Sequence, residues 1–140
     1  MNHCIAVAAG RIEYVSAWEL QKNLHSRVVD GKLPNLLLLL EHLHVFTLGR
    51  RGRLSDILAT PEILWQKGIK VHRVDRGGEV TYHGPGQIVG YPIVDLRAWG
   101  SGPLTFVRAL EQVIVATLAE FGISAQSEER PAGVWVGEAK

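Results

Sequence analysis

The chain has 140 residues, 46% hydrophobic and 21% charged, a globular balance that excludes disordered and collagen-like chains and leaves room for one ordinary domain. Fifteen Lys and Arg against fourteen Asp and Glu give a formal net charge of +1, without the concentrated basic excess of a nucleic-acid binder. The one cysteine, Cys4, excludes an internal disulfide framework, and no zinc-ligand spacing is present.

Residues Met1 to Gly10 are short and apolar with no basic n-region. They read as a first strand, Cys4 to Ala8, rather than a signal peptide. Ser16-Ala17-Trp18-Glu19 fits a capping box, so a helix is expected over Ser16 to Asp30, with Trp18, Leu20, Leu24 and Val28 on its apolar face and Gly31 as its stop. Leu36 to Glu41 is a continuous apolar run behind Pro34-Asn35, expected as a buried strand; it is far too short to span a bilayer. His44 to Leu48 is the next strand. Thr60-Pro61 caps and opens a short helix that Gly68 closes. Ile69 to Val74, Val80 to Tyr82 and Ile88 to Val94 are β-rich, the last two separated by His83-Gly84-Pro85-Gly86. Leu104, Val107, Leu110, Ile114, Leu118 and Phe121 form one apolar stripe on a helix from about Pro103 to Phe121, ended by Gly122. Val134 to Val136 is a strand with no visible partner, half of a hairpin whose second strand is expected beyond Lys140.

The chemistry concentrates in Asp75-Arg76-Gly77-Gly78-Glu79-Val80-Thr81-Tyr82-His83-Gly84-Pro85-Gly86-Gln87. Glycines flanking a strand imply close backbone approach or positive φ. Exposed N–H groups there can hold a carbonyl or anionic oxygen. Arg76 offers a planar fork of donors, and Tyr82 and His83 each pair an apolar body with a polar tip. Together they can line a pocket with one polar end and one greasy wall. Taken singly, Arg76 reads as a surface ion-pair residue, Gly77-Gly78 as a turn and His83 as a hydrogen-bonding loop residue. The run lacks the spacing of a dinucleotide fingerprint and the Lys-Ser/Thr ending of a phosphate loop, which leaves a nucleotide-dependent regulator little support.

Arg76 through Gln87 resembles the signature of the lipoyl(octanoyl) transferase family. Glu41-His42 with Val45, Thr47, Gly49 and Arg50 resembles that family's upstream motif, although His44 stands where the family more often has proline. Tyr91-Pro92-Ile93-Val94-Asp95-Leu96 resembles the strand after the signature, and Pro131 to Gly137 with Lys140 resembles the approach to the active-site lysine.

The resemblance implies an α/β (α+β) mixed-sheet fold like the biotin/lipoate protein ligase catalytic domain, here a single domain over residues 1–140 that is truncated at its C-terminus. It implies an octanoyltransferase of lipoate biosynthesis. Such an enzyme moves an octanoyl group from octanoyl-acyl carrier protein to a lysine of lipoyl domains, those of 2-oxo-acid dehydrogenases and of the glycine cleavage H protein. The reaction is ping-pong through a cysteine thioester, with a lysine that favours the thiolate and shuttles its proton.

Lys140 is the residue that matches that lysine, and no cysteine in this chain maps onto the nucleophile, Cys4 included; the 140 residues alone are expected to be inactive. Arg76, Gly77, Gly78, Glu79, Val80, Thr81, Tyr82 and His83 are the implied substrate-binding residues. His42 and Tyr91 are pocket candidates that read equally well as core, and Arg50, Arg51 and Arg53 are candidates to receive an acidic carrier protein. No cofactor, metal, nucleic acid or membrane is implied, and the expected compartment is the cytoplasm. The competing readings are an ATP-dependent lipoate or biotin ligase-like protein and a non-catalytic fragment.

Overall fold

The computed structural model describes residues 3–99, 102–128 and 133–140. The chain divides into two compact units, Met1–Val94 and Asp95–Lys140.

In the first unit, β1 (Cys4–Ile12) leads through α1 (Tyr14–Val29) to β2 (Asn35–His42), which lies parallel to β1 with Cys4 opposite Asn35 and Ile12 opposite His42. Their register shifts between Ala8 and Arg11, where Gly10 takes a φ of 67°, as a bulge requires. β6 (Val89–Ile93) runs antiparallel on the other side of β2, placing Leu36 opposite Ile93 and Leu38 opposite Tyr91. Alternation sends Leu36, Leu38, Leu40 and His42 to one face, all buried. Val28 completes the core with Leu36, Leu38 and Ile93, and Leu24 and Leu33 pack against it.

Helix α1 begins earlier than the capping box implied. Its cap is Glu13, whose carboxylate accepts the Ser16 N–H at 3.1 Å; Ser16 is already inside the first turn, and Glu19 pairs with Lys22 instead. A carboxylate reaching forward serves the free N–H groups of the first turn as well as a serine hydroxyl would. Of the expected apolar face, Val28 is buried and Trp18 and Leu24 partly so, while Leu20 turns outward; Ala17 is buried beside them, with Tyr14 and Gln21 partly so.

A second sheet is centred on β3 (Val45–Leu48). A one-turn segment at Leu54–Asp56 and α2 (Pro61–Gln66) lead to β4 (Lys70–Arg73), parallel to β3 with Thr47 opposite His72. Thr60 caps α2 through its hydroxyl and Gly68 ends it at a φ of 62°, as the sequence implied. β5 (Val80–His83) lies antiparallel on the other side, with Thr47 opposite Thr81 and Val45 opposite His83.

The second unit carries a turn at Leu96–Trp99, α3 (Pro103–Glu120), β7 (Gln126–Glu128) and β8 (Gly133–Trp135). Leu104, Val107, Ile114 and Phe121 of the expected α3 stripe are exposed. The strand expected to lack a partner has one: β8 pairs antiparallel with β7, Gln126 opposite Trp135. Gln126-Ser127-Glu128 has no apolar alternation, so sequence periodicity could not reveal it. The chain then turns at Gly137, φ 59°, and Val136 and Ala139 exchange backbone hydrogen bonds. Pro131 and Ala132 of the expected motif lie outside the described residues. Mixed sheets with helical crossovers make the fold mixed α/β, as expected. Among the described residues no helix is long and apolar enough to cross a membrane, and no group of three or more His, Cys, Asp or Glu is placed to hold a metal ion.

Candidate functional site

The signature segment is fastened backbone to backbone. Gly49 N–H donates to the Glu79 carbonyl at 2.7 Å, Arg50 N–H to that of Arg76 at 3.0 Å and Arg51 N–H to that of Gly78 at 3.1 Å. A Cβ on Gly49 would sit 2.6 Å from the Gly78 oxygen and 2.8 Å from that of Gly77; one on Gly52 would meet the Glu79 oxygen at 2.9 Å. Glycine is required at 49 and 52 because two stretches of backbone touch there. Gly78 is required for its own φ of 84°.

Arg76 locks the same contact from the side. Nη2 donates to the Thr47 carbonyl at 2.9 Å, to Thr47 Oγ1 and Thr81 Oγ1 at 2.8 Å each, and to the Glu79 carbonyl at 3.2 Å. Nε reaches Thr47 Oγ1 at 3.3 Å and Nη1 the Gly77 carbonyl at 2.8 Å. Thr47 is 0% exposed. A buried threonine in a central strand and an arginine from a neighbouring turn thus satisfy each other, and the guanidinium fork is largely occupied within the fold.

Residues 76–83 divide between two faces, because strand side chains alternate. Thr81 and His83 share the inner face with Thr47, Val45 and His72. Tyr82 stands on the other face, 42% exposed, with its ring 5.2 Å from that of Phe46 and its hydroxyl 2.6 Å from His44 Nδ1. A Cβ on Gly84 would collide with the Tyr82 hydroxyl and lie 2.8 Å from its Cζ, so Gly84 leaves the room that the Tyr82 phenol occupies.

On the inner face, imidazoles and phenols from both sheets and α1 meet. The Tyr14 ring lies 5.1 Å from His42, 5.9 Å from His72 and 6.4 Å from His83, nearly parallel to the last two; His42 is 5.6 Å from His83 and 5.9 Å from Tyr91. His42 Nδ1 is 2.9 Å from the Ile12 carbonyl, which can only accept, so Nδ1 carries the proton. Nε2 then accepts from the Tyr91 hydroxyl at 2.8 Å. Burial holds the His42 pKa below its ordinary value, and the neighbouring His83 works in the same direction against the Ile12 hydrogen bond. Burial likewise pushes Tyr91 up to about 12, and Tyr14 upward. His72 Nε2 is buried with no hydrogen-bond partner among the described residues. His42, at 0% exposure, belongs to the interior, and its partner Tyr91 is partly buried against the core.

The turn after β5 is pinned to the first sheet. Glu41 Oε2 accepts from Gly86 N–H at 3.2 Å and from Arg11 Nη2 at 3.1 Å, and these contacts hold its carboxyl below the usual range. His83 Nδ1 lies 2.7 Å from Gln87 Oε1, and Gln87 Nε2 donates to the Tyr82 carbonyl at 3.4 Å. A cleft of about 670 Å³ lined by Arg50, Arg51, Gly52, Arg53, Asp56 and Glu79 opens beside the start of the ribbon. A mostly apolar groove of about 460 Å³ lies along Ala8, Gly10, Leu39, Leu40 and Ile88, with Arg11 and Glu41 at its edge.

Lys140 lies in the second unit and is exposed. Its Nζ stands 5.7 Å over the Trp135 ring, and its Cε occupies the space a Cβ on Gly133 would need. Tyr14, Thr47, His72 and Gln87 were not singled out in the sequence as site residues. Gln87 alone lay inside the quoted signature; pairing of β3 with β4 and β5 puts Thr47 and His72 on the inner face, and the start of α1 brings Tyr14 there.

The model of the lipoyl protein ligase A/B catalytic domain matches residues 13–140. An octanoyltransferase of Solibacter usitatus is 51% identical over 140 residues, all of this chain and 64% of that protein. One of Caldicellulosiruptor saccharolyticus is 50% identical over 131 residues, 92% of this chain and 56% of that protein. The chain therefore spans a little over half the length of these relatives. Among solved structures, P. falciparum LipL1 in complex with lipoate superposes with a TM-score of 0.67 at 14% identity, covering 97% of this chain and 41% of that one. Lipoate-protein ligase A bound with ATP gives 0.61 at 13% identity, covering 98% and 57%. At such identities the likeness speaks for the fold, which is that of lipoate-protein ligases. With a family model matched across both units and near relatives half identical, the chain belongs to the lipoyl protein ligase A/B catalytic domain family.

Proposed function

We propose that this chain is part of an octanoyltransferase, which takes an octanoyl group from octanoyl-acyl carrier protein and delivers it to a lysine of a lipoyl domain. The observation that carries the reading is the rigid Arg76–His83 ribbon, seated on Gly49–Gly52 by direct backbone contact, in a chain half identical to octanoyltransferases. Both units form one catalytic domain in this reading, since the family match runs through both.

In this reading the donor thioester is attacked by a cysteine thiolate outside these 140 residues, since Cys4, in the first strand, does not match the position of the family's nucleophile. Lys140 favours the thiolate by its positive charge and shuttles its proton. Gly77, Gly78, Glu79 and Val80 present backbone to the thioester end. Arg76 keeps that backbone in place, Thr81 and His83 line one face, and Tyr82 offers an aromatic wall on the other. Arg50, Arg51 and Arg53 face the acidic carrier protein, where opposite charge speeds encounter. The acceptors are the lipoyl domains of 2-oxo-acid dehydrogenases and of the glycine cleavage H protein, and the compartment is the cytoplasm.

The test supplies octanoyl-carrier protein and a lipoyl domain to these 140 residues and to the same residues extended at the C-terminal side to the relatives' length. Intact mass should show an octanoyl adduct on a cysteine of the extended protein and transfer to the lipoyl domain, with neither on the short chain. Transfer from free octanoate that depends on ATP, with none from the carrier protein, would replace this reading with that of a ligase.

A further inference from the structure

Strand alternation sorts the hairpin of the second unit into two faces. Ser127 accepts from Gln112 Nε2 of α3 at 2.8 Å, and Val134 lies opposite Ser127 in the β7–β8 ladder, so both belong to the face turned toward the helix. Gly133 and Trp135 belong to the other face. Beyond β8 the chain reverses through Gly137 and Glu138, of which only Gly137 takes a positive φ, and Val136 and Ala139 exchange both backbone hydrogen bonds, at 2.8 and 3.1 Å. A two-residue turn of that kind fixes the register of the strands it joins. The next residues outward, Trp135 and Lys140, are therefore a non-hydrogen-bonded pair, the arrangement that brings cross-strand side chains closest.

Two features of β8 hold the Lys140 side chain. Its Nζ stands 5.7 Å from the Trp135 ring centroid, within the roughly 6 Å over which an aromatic face attracts a cation. Its stem crosses Gly133, where a Cβ would collide with Lys140 Cε and lie 3.2 Å from Nζ and 3.4 Å from Cδ. Any larger residue at 133 would fill that trough. Among the described residues no carboxylate pairs with the Lys140 ammonium, so the indole face is the partner that the cation has there. A lysine stem left to itself is flexible and spreads its charge over many positions. Resting on the octanoyltransfer reading, we propose that Trp135 is a positioning residue for that reaction. It holds the Lys140 ammonium at one place over the hairpin, in the trough that Gly133 leaves, so that the charge favouring the cysteine thiolate is set before the donor arrives. Trp135 itself carries no proton and makes no bond to the substrate.

Two readouts on the enzyme extended to the relatives' length test this. The first is NMR of lysines labelled with ¹³C at Cε, and it needs no substrate. The Lys140 ε-protons should resonate upfield of an ordinary lysine because they lie over the indole ring, and Trp135→Leu should return them to the ordinary position. Lys22 stands 5.0 Å over the Trp18 ring and will be shifted as well, so the Lys140 signal is the one that Lys140→Arg removes. The second readout is acylation by octanoyl-carrier protein. Trp135→Leu keeps apolar bulk on the strand and has no ring face. It should lower kcat about fivefold, the loss that matches one exposed cation–aromatic contact, and leave KM for the donor unchanged. Trp135→Phe keeps a ring and should recover most of that rate, whereas a tryptophan that only packs the hairpin would leave the two variants equal at equal unfolding midpoints. Absence of the upfield shift, an unchanged kcat for Trp135→Leu, equal rates for Trp135→Leu and Trp135→Phe, or an effect carried by KM alone overturns the proposal. If the shift is present and the unsubstituted enzyme transfers nothing from the carrier protein, the octanoyltransfer reading fails and the positioning role fails with it. An enzyme that transfers normally and shows no shift loses the positioning role alone.

Discussion

Replacing Arg76 by methionine should destabilise the first unit by about 2–6 kcal/mol. Methionine keeps most of the length and removes every donor. Thr47 is fully buried and accepts from Arg76 through both its carbonyl and its hydroxyl. Each buried acceptor left without a donor costs roughly 1–3 kcal/mol, and two such atoms give the stated range. The Gly77 and Glu79 carbonyls add little, because they belong to exposed residues and water can reach them. Against a typical total of about 5–15 kcal/mol, this is a large share. Urea midpoints would measure the loss, and amide exchange at Gly49 and Arg51, which donate to Glu79 and Gly78, would show whether the ribbon loosens first. Thr47→Val removes one of the two acceptors, so it should partly relieve the Arg76→Met defect, with a coupling of at least about 1 kcal/mol. A loss below about 1 kcal/mol, or costs that add within about 0.5 kcal/mol, would refute the account of Arg76 as a tether.

Gly84→Ala places a methyl group against the Tyr82 phenol and should cost about 1–3 kcal/mol as overpacking; adding Tyr82→Phe should recover part of it, measured by thermal unfolding. Tyr91 has its pKa raised to about 12 by burial, against about 10 in an unfolded chain. Its contribution is therefore complete below pH 10 and is lost between 10 and 12, and in a spectrophotometric titration Tyr91→Phe should remove a phenol that ionises near pH 12. Glu41 is held below its ordinary pKa first by the Gly86 N–H and then by Arg11, so its hold on the turn is present above the unfolded carboxylate value and fades as pH falls through the folded one. Glu41→Gln should speed exchange of the Gly86 amide at neutral pH and flatten that acid dependence; unchanged exchange would dismiss the contact.

Local signals read well wherever backbone chemistry was decisive. Thr60-Pro61, Gly31, Gly68 and Gly122 mark helix ends because caps and positive-φ stops act within a few residues. The α1 cap was misplaced because Glu13 and Ser16 both carry accepting oxygens, and only the path of the chain out of β1 decides which one is used. β7 escaped because three polar residues have no periodicity; it exists through its pairing with β8.

By itself, the sequence determined the family, the position of the ribbon and the glycines that bound it, because close backbone contacts leave residue types that hardly anything else can replace. Only the tertiary structure decided what those residues do. It turned the Arg76 fork inward onto Thr47, divided Tyr82 from His83 across a strand, and gathered His42, His72 and His83 around Tyr14, with Tyr91 beside His42. Strand register brings residues tens of positions apart within hydrogen-bond reach, and register depends on the whole sheet rather than on any local stretch of chain.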